Sequence, residues 1–395
     1  MTNPVATQDD LTHLSRVTIE ERPGEEERRA PRPLRAIFDA RPGRACLTGI
    51  GRYARTMAGL LRGDVLGHTG AILGEGRLRL QARHAFEEEI ELPALLVNER
   101  ADVYHSALFR LPALLPCKAV VTVHDAIPLV RPDLATPIAR QLFEGIASDV
   151  ARADAVVCPS QSAKDDLVRT VGVDPARVHV VPETPEPGFG VQRGRDEVLF
   201  SLARHGVADE PFALVVGSLD ARKDPRTVLD ALRILEGRGP IVVFAGPPGD
   251  VDVVTEARQR GLEGRVRVLG QVSDATLAAL YAGAGALVHA SLYEGFGLPV
   301  VEAFAAGAPV VAARAASLPE VVGDAGLLFD PGDAASLAER LLRLRDDEAL
   351  GRDLARRGAA RLAACFSPDL VRARVAAVWE RVTAQRSVDP RRCRG

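Results

Sequence analysis

Cysteines are few in this sequence, and their arrangement excludes the roles that cysteines most often play together. The five occur at positions 46, 117, 158, 365 and 393. An odd number at scattered positions forms neither a paired metal-ligand spacing nor a Cys-x-x-Cys redox motif. The sequence therefore predicts reduced thiols in a cytoplasm, most of them as small residues in a core.

The sequence also lacks a large charge excess and long apolar segments. Its formal net charge is −3 and its pI is near 6.3, so composition gives no reason to expect nucleic acid as a partner. No uninterrupted apolar stretch approaches the roughly 18 residues that span a bilayer, and the polar start Met1–Gln8 has no signal-peptide h-region. We expect a soluble, cytoplasmic protein without a transmembrane segment, and peripheral contact with the inner membrane face stays open.

Aromatic residues are scarce as well, and small aliphatic residues take their place. Aromatics make up 4% and hydrophobic residues 47% of the 395 positions, a composition that suits layered α/β packing in two domains. Short β-branched runs alternate with helical patterns. The predicted strands are Arg35–Asp39, Val103–His105, Ala119–His124, Ala155–Cys158, Val178–Val181, Phe212–Gly217, Ile241–Ala245, Val266–Gly270, Ala286–Ala290 and Val310–Ala312. The alternation predicts two Rossmann-like domains with doubly wound parallel sheets that face a cleft.

Proline-rich and charged segments divide the chain. Residues 1–33 carry Glu, Arg and Pro with few apolar anchors, a composition typical of a disordered tail. The segment Pro182–Gly188 can continue neither a helix nor a central strand, so it predicts the beginning of a linker. We therefore expect a first domain over residues 34–190 and a second over residues 191–365.

The strongest candidate site lies between His289 and Glu302. The apolar run before it predicts a buried strand, and Pro299 suits the first position of a helix that Gly307 would end. Glu294 is then on a loop and Glu302 about one turn inside the helix. These two carboxylates are eight positions apart in the sequence.

The glycines of this loop favour an anionic ligand. Gly295 and Gly297 let the backbone approach a ligand closely. Unpaired N–H groups and the positive end of the helix attract an anion such as a diphosphate. Because a carboxylate on each side can bind ligand hydroxyls, the combination indicates a nucleotide sugar.

Arg222 and Lys223 form a second candidate site at the carboxyl end of a predicted strand, where open α/β sheets bind ligands. Asp224 and Pro225 predict the cap and the first residue of the next helix. A guanidinium and an ammonium suit a diphosphate leaving group and would stabilise its charge in place of a metal. A solvated pair of exposed cations explains the same residues, and the pattern alone favours that interpretation.

The first domain offers two further candidates. Gly49 and Gly51 form a Gly-x-Gly turn before a helical pattern, but the third glycine and the acidic residue of a dinucleotide site are missing, so a tight turn explains them equally well. His124 and Asp125 lie at the carboxyl end of a predicted buried strand. A core or capping histidine is the plainer alternative, while a position facing the cleft favours a functional role.

Together these motifs resemble glycosyltransferase family four, the retaining GT-B enzymes that include bacterial mannosyl- and glucosyltransferases. The landmarks, in the family's order, are Gly49–Tyr53, His124–Pro128, Cys158–Lys164, Gly217–Lys223 and Glu294–Glu302. Five landmarks in register are more specific than any one of them. By the same resemblance, residues 366–386 form a C-terminal helix that crosses back to the first domain.

The resemblance also assigns site residues. Those implied in donor binding are Gly49, Gly51, Arg222, Lys223, Gly295, Phe296, Gly297, Leu298 and Glu302, and those implied in catalysis are His124, Arg222, Lys223 and Glu294. The two cations would hold the diphosphate and Glu302 the ribose. Glu294 and the amides of residues 295–298 would bind the transferred sugar and phosphates, and His124 would lie beside the sugar.

Two segments bear on the linker and on metals. Where many relatives have Val-Pro-Asn-Gly, this chain has Val181-Pro-Glu-Thr-Pro185, which leaves the linker geometry open but affects no residue assigned to the donor. The one Asp-x-Asp, Asp250 to Asp252, precedes a helical pattern and predicts an N-cap rather than a metal site. We expect no metal and no cofactor besides the nucleotide sugar substrate.

The resulting hypothesis is a metal-independent transferase that moves a hexosyl unit from a GDP- or UDP-hexose to an acceptor hydroxyl with retention. The acceptor would be a sugar, a lipid-linked molecule or a natural product. Two alternatives share the architecture: a nucleotide-sugar 2-epimerase and a non-catalytic nucleotide-sugar-binding protein. The epimerase motifs do not match the spacing from Glu294 to Glu302, and the intact set of charged residues argues against a protein that only binds.

Overall fold

The structure is a computed structural model that describes residues 34–42, 49–61, 87–191, 193–207 and 210–384. The predicted tail over residues 1–33 lies outside the described residues. From Arg35 onward the described residues belong to one compact unit. Among them no helix is both long and apolar enough to cross a membrane.

Among the described residues, the first sheet contains five parallel strands in sequence order, β1-β2-β3-β4-β5. The strands are β1 Ala36–Asp39, β2 Val103–Ser106, β3 Lys118–Thr122, β4 Ala155–Cys158 and β5 Val178–Val180. All five were predicted: β4 with the same ends, and the other four with ends that differ by one or two residues. Because β3 ends at Thr122, His124 lies on the loop after the strand and not within it.

The second sheet has six strands in the order β11-β10-β9-β6-β7-β8, also parallel. They are β6 Phe212–Val216, β7 Ile241–Ala245, β8 Val266–Gly270, β9 Ala286–His289, β10 Val310–Ala313 and β11 Leu327–Phe329. The sequence did not predict β11, which has three residues. The central strand β6 has β7 on one side and β9 on the other, so the winding direction reverses between β6 and β9. Such a reversal opens a ligand crevice at the carboxyl ends of the strands.

Helices cover both sheets and connect their parallel strands. Their bounds are Gly49–Leu60, Leu92–Asn98, Ile127–Val130, Pro137–Phe143, Ile146–Arg152, Gln161–Val171, Arg195–Ala203, Pro225–Ile234, Val253–Gln259, Asp274–Gly283, Leu298–Ala306, Leu318–Val322, Ala334–Asp346, Glu348–Cys365 and Pro368–Ala384. Single turns of other helix types occur at Glu87–Glu91, Pro132–Leu134, Pro175–Arg177, Pro187–Gly190 and Ala221–Lys223. Two parallel sheets with helices between their strands confirm the predicted fold class; the winding reverses within the second sheet, whereas the described strands of the first follow sequence order.

Aspartates cap two helices as the sequence predicts. Asp224 accepts a hydrogen bond from Thr227 N at 3.2 Å and Pro225 is the first residue of its helix. Asp252 accepts from Thr255 N at 3.1 Å, so the second residue of the Asp-x-Asp segment is an N-cap. Each such cap contributes about 1 kcal/mol to helix stability.

The core of the second sheet is continuous and consists mainly of Ala, Val and Leu from both faces. Strands β6 and β7 are buried along their whole length. Full burial of a Val or Leu side chain contributes about 1.5–3 kcal/mol. This packing fixes the carboxyl ends of β6 and β9 side by side.

The last described helix, Pro368–Ala384, contacts the first sheet at β3. Its buried residues are Val371, Val375, Val378, Trp379 and Val382. Trp379 Nε1 donates a hydrogen bond to His105 Nδ1 on β2, at 3.2 Å. The chain therefore leaves the second sheet and returns to the first, as predicted.

Candidate active site

Two loops meet where the winding direction of the second sheet reverses. The loop after β6 ends in the turn Ala221–Lys223, and the loop after β9 carries Glu294. Leu292 N donates to Arg222 O at 2.8 Å and joins the two loops through the backbone. The sheet order therefore brings together two segments that are 71 residues apart in the chain.

Three nitrogen atoms surround a single oxygen of Glu294. Lys223 Nζ lies 2.5 Å and Arg222 Nη1 3.0 Å from Oε1, and His289 Nε2 lies 3.5 Å from the same atom. The cations are not solvated, since only 13% of the Lys223 and 20% of the Arg222 side chain are exposed. The structure thus places the cation pair in a buried ionic cluster, unlike the solvated pair that residue type alone would suggest.

Electrostatics fix the charge of Glu294. Burial alone would raise the pKa of this carboxyl, but Lys223 and Arg222 hold it well below its usual value. Burial lowers the pKa of His289, so this ring is neutral at pH 7. The cluster accordingly joins one carboxylate to two cations, which is a ready binding site for a second anion.

The glycine loop approaches the first domain closely. A Cβ on Gly295 would lie 2.0 Å from His124 O and 2.7 Å from Asp125 Cβ, so only glycine fits there. Gly295 O accepts a hydrogen bond from Ser160 Oγ at 2.6 Å. Gly297 has a φ of +107°, which glycine adopts without strain.

Phe296 and Leu298 contribute their backbone to this loop. The Phe296 ring is buried and packs edge-on against Phe366, with centroids 5.6 Å apart. Ser317 Oγ donates a hydrogen bond to Phe296 O at 2.8 Å, which fixes the backbone of the loop. Leu298 begins the helix Leu298–Ala306, and Pro299 is therefore its second residue, one position later than predicted.

Glu302 lies one turn inside that helix, as predicted, and is 1% exposed. Its Oε2 accepts a hydrogen bond from Tyr281 OH at 2.7 Å, and its Oε1 lies 2.5 Å from Arg52 Nη1. Burial raises the pKa of this carboxyl although Arg52 and Tyr281 oppose the shift. The two glutamates thus differ in environment, since Glu294 is held as an anion and Glu302 is the more readily protonated.

Arg52 reaches Glu302 from the helix Gly49–Leu60 of the first domain. It also pairs with Asp274 at 2.9 Å and lies over the Phe189 ring, 5.4 Å from its centroid. Gly49 and Gly51 are residues of this helix and not of a turn before it, which corrects the sequence interpretation. Gly51 is buried, whereas Gly49 is exposed and a Cβ there would meet none of the described atoms within 4 Å.

His124 lies on the loop after β3, and both of its ring nitrogens face acceptors. Nδ1 is 3.0 Å from Glu183 Oε1 and Nε2 is 3.0 Å from Ala107 O. Tyr53 packs edge-on against the ring at 4.7 Å. Burial alone would lower the pKa of His124, but the Glu183 carboxylate raises it above its ordinary value.

Several of these partners could not be recognised from the sequence. Arg52 and Glu183 belong to motifs in which neither received a role, and the linker segment was expected to leave the chemistry unaffected. The structure shows that Glu183 of this segment contacts His124. A departure from the family pattern beside a predicted linker was the available signal for Glu183. No local signal pairs Arg52 with Glu302, which is 250 residues away.

The Asp-x-Asp segment has a structural role. Asp250 Oδ1 accepts from Ala221 N at 2.8 Å, and Asp252 caps the helix Val253–Gln259. In the part of the chain that the structure describes, no three His, Cys, Asp or Glu side chains come together as a set of metal ligands. Through its hydrogen bond with Ala221 N, Asp250 supports the turn that carries Arg222 and Lys223.

Two family profiles match consecutive parts of the chain. The profile described as Glycosyltransferase Family 4 covers residues 48–183, and the profile described as Glycosyl transferases group 1 covers residues 202–361. The first match includes the loop of His124, and the second includes the cation pair and both glutamates. The division between the two matches falls where the chain passes from the first sheet to the second.

Two curated relatives illustrate the sequence similarity. O-antigen chain mannosyltransferase B of Escherichia coli is 31% identical over 252 residues, which are 62% of this chain and 66% of that protein. A D-inositol 3-phosphate glycosyltransferase of Salinispora arenicola is 32% identical over 242 residues, 56% of this chain and 53% of that protein. The chain thus spans just under two thirds of the first relative and about half of the second.

Solved structures show the same architecture. A sucrose-phosphate synthase from Thermosynechococcus elongatus gives a TM-score of 0.71 at 20% identity and covers 89% of this chain and 99% of that one. Anabaena HepE in complex with UDP-glucose gives a TM-score of 0.69 at 20% identity, over 88% of this chain and 100% of that one. At these identities the likeness concerns the fold, whereas the sequence profiles concern the family. The chain belongs to the group 1, family-four glycosyltransferases and has their GT-B fold.

Proposed function

We propose that this protein is a retaining, metal-independent hexosyltransferase. It takes a hexosyl unit from a nucleotide diphosphate sugar, a GDP- or UDP-hexose, and transfers it to an acceptor hydroxyl. The product belongs to a polysaccharide, a glycolipid or a natural-product glycoside. The observation that carries the proposal is the cluster of Lys223 and Arg222 on Glu294, at the reversal point of the second sheet.

The donor fits this cluster by charge. Its diphosphate competes with Glu294 for Lys223 and Arg222, and the backbone of residues 295–298 supplies N–H groups at the start of a helix. Glu302 then accepts hydrogen bonds from ribose hydroxyls in place of Arg52 and Tyr281. The binding of UDP-glucose by HepE and the mannosyltransferase relatives support a nucleotide hexose as the donor.

The reaction needs no separate general base. The bond from C1 of the hexose to the diphosphate oxygen breaks, and a bond from C1 to the acceptor oxygen forms on the same face. The acceptor proton passes to the departing phosphate oxygen. Lys223 and Arg222 stabilise the negative charge that develops on that phosphate, a role that a metal ion takes in other transferases. Glu294 positions the hexose and stabilises positive charge at C1.

A donor-by-acceptor panel tests the proposal. Purified protein is incubated with GDP-mannose, UDP-glucose and related donors, with and without sugar, lipid-linked and natural-product acceptors, in EDTA and in Mg²⁺. We expect nucleoside diphosphate release that depends on acceptor, persists in EDTA and gives a glycoside with the anomeric configuration of the donor by NMR. A 2-epimer formed without acceptor identifies an epimerase, and binding without turnover identifies a non-catalytic protein.

A further inference from the structure

The hydrogen-bond partners of His124 indicate which of its two ring nitrogens carry a proton. A neutral imidazole has one N–H donor and one bare nitrogen, whereas an imidazolium has two donors. Here Nδ1 faces the Glu183 carboxylate and Nε2 faces the Ala107 carbonyl, each at 3.0 Å. A carbonyl oxygen and a carboxylate only accept hydrogen bonds, so the geometry satisfies both nitrogens only when both carry a proton.

Neighbouring groups around the ring favour the same protonation state. The Glu183 carboxylate comes from the linker, and Asp125 follows His124 on its own loop. His105 faces the ring from β2, but burial lowers its pKa to about 3, so it is neutral and adds no positive charge. Tyr53 packs its ring edge-on from the helix Gly49–Leu60, and burial keeps its hydroxyl protonated by raising its pKa. The charge in direct contact with His124 is therefore the negative Glu183 carboxylate, whereas burial raises the pKa of Asp125 and so weakens its charge.

We propose that Glu183 is a positioning residue that holds His124 as a doubly protonated imidazolium beside the hexosyl unit. The inference rests on the proposed function, which places His124 next to that sugar. Glu183 fixes the ring through Nδ1 while the Nε2–H group can exchange the Ala107 carbonyl for a sugar hydroxyl. His124 then acts as a hydrogen-bond donor and a positive charge, and it cannot act as a base.

The position of Glu183 explains why the linker departs from the family pattern in this chain. An Asn at this place has no charge with which to keep the imidazole protonated. Glu183 is 6% exposed, so its attraction for His124 is only weakly screened by water. An opposite charge at hydrogen-bond distance shifts a pKa by roughly one to three units.

Histidine ring NMR tests the charge state without reference to turnover. Full-length protein labelled with 15N is titrated, and the His124 signal among the eight histidines is assigned by its loss in His124→Gln. In the wild type we expect His124 to titrate above 6.5, and in Glu183→Gln we expect its pKa to fall by at least about one unit. Glu183→Asp retains the negative charge, so the pKa of His124 in this variant should stay above its value in Glu183→Gln. If Glu183→Gln does not fold, the comparison is made between Glu183→Asp and the wild type.

The control is Glu186→Gln, which removes another linker carboxylate that pairs with Arg55 and not with His124. Its His124 titration should match the wild type. An unchanged His124 pKa in Glu183→Gln, or a His124 that is neutral at pH 7 in the wild type, overturns the proposal.

The pH dependence of transfer provides the catalytic test. Because His124 is active when protonated, kcat should fall as pH rises through its pKa, and Glu183→Gln should move this alkaline limb about one unit lower. At pH 8 the kcat of Glu183→Gln should be roughly tenfold lower than that of the wild type, and at pH 6 the two values should be nearly equal. A shifted NMR pKa with an unmoved limb excludes a catalytic role for the charge. Absence of transfer in the wild type instead contradicts the proposed function alone.

Discussion

Both cations of the candidate site contact the same oxygen atom of Glu294. Lys223 and Arg222 both contact Oε1, and they keep the pKa of the carboxyl low although burial opposes them. A diphosphate that binds the same cations would weaken their hold on Glu294. The carboxylate oxygen would then become available to a sugar hydroxyl, which links donor binding to the positioning of the reacting sugar.

Lys223→Ala should reduce kcat/KM roughly 100-fold. In the proposed reaction the ammonium is a preorganised charge at the departing diphosphate, and loss of one such partner costs about 3 kcal/mol of transition-state stabilisation. Steady-state rates with EDTA present check the value, and wild-type activity should persist in the chelator. Lys118→Ala is the matched control, because Lys118 forms a comparable ion pair with Asp154 in the first sheet, at 2.9 Å.

The two glutamates should separate in kinetics. Ribose hydroxyls are bound equally in the ground and transition states, so Glu302→Ala should act mainly on the donor KM. Glu294→Ala should depress kcat, because the proposed reaction places the Glu294 carboxylate against the hexose where charge develops. Initial rates over a range of donor concentrations give kcat and the donor KM of each variant. If the two variants change kcat and KM in the same way, the separate roles of Glu294 and Glu302 are contradicted.

At the scale of elements, local sequence patterns predict most of the fold. Ten strands were predicted from β-branched runs, and Asp224 and Asp252 cap the predicted helices. Strand β11 was missed because its three residues, Leu327–Phe329, are too few for a periodic signal. The helix Gly49–Leu60 begins at residues interpreted as a turn, since glycines predict turns unless packing overrides them.

The crossover helix makes a buried polar contact with the first sheet, between Trp379 and His105. Burial lowers the pKa of His105 to about 3, so the ring is neutral and can accept the Trp379 hydrogen bond at Nδ1. Its other nitrogen lies 3.0 Å from Thr122 Oγ1. A fixed tautomer with Nε2 protonated satisfies both contacts.

Trp379→Phe should lower the free energy of unfolding by about 2 kcal/mol. The change retains an aromatic ring but leaves a buried His105 acceptor without its donor. Urea unfolding at pH 7.5 measures the loss, and Trp379→Ala should cost more because it also creates a cavity. A Phe variant as stable as the wild type would show that this hydrogen bond is dispensable.

The same histidine predicts a pH dependence of stability. In the unfolded chain His105 takes up a proton below about pH 6.5, whereas in the folded chain burial delays protonation to about pH 3. The unfolded state therefore binds more protons between these values, and the contribution of His105 to stability falls as pH drops from 6.5 towards 3. Thermal melts of wild type and His105→Gln check this, because the variant should show a flatter acid limb.

On the scale of the whole molecule, charged and polar contacts join the first sheet's domain to the second's. Arg52 pairs with Glu302, Ser160 donates to Gly295 O, and Glu320 accepts from Gln161 N at 2.9 Å. Each contact joins residues more than 130 positions apart. The sequence predicted a cleft between two domains. Hydrophobic patterns and residue propensities describe residues close together in the chain, so they cannot identify which side chains meet across that cleft.

The Arg52 contact must open for a donor ribose to reach Glu302 as proposed, because this carboxylate is 1% exposed and Arg52 pairs with it from the first domain. We therefore expect the domains to open and to close again over the donor, which excludes water from the reacting sugar. The protein without nucleotide should therefore populate both an open and a closed form, so small-angle scattering should show a smaller radius of gyration at saturating nucleoside diphosphate. An unchanged radius, together with crosslinks between the domains in protein without nucleotide, would contradict this motion.

Arg52→Gln should make the opening visible. Breaking an ion pair with a buried partner costs about 3 kcal/mol, enough to shift a two-state equilibrium roughly 100-fold towards the open form. The radius of gyration without nucleotide should then exceed that of the wild type, and saturating nucleoside diphosphate should reduce it by more. Arg110→Gln is the matched control, since Arg110 pairs with Asp149 within the first domain and should leave both radii unchanged. If Arg52→Gln scatters like the control, the Arg52 pair does not hold the domains together.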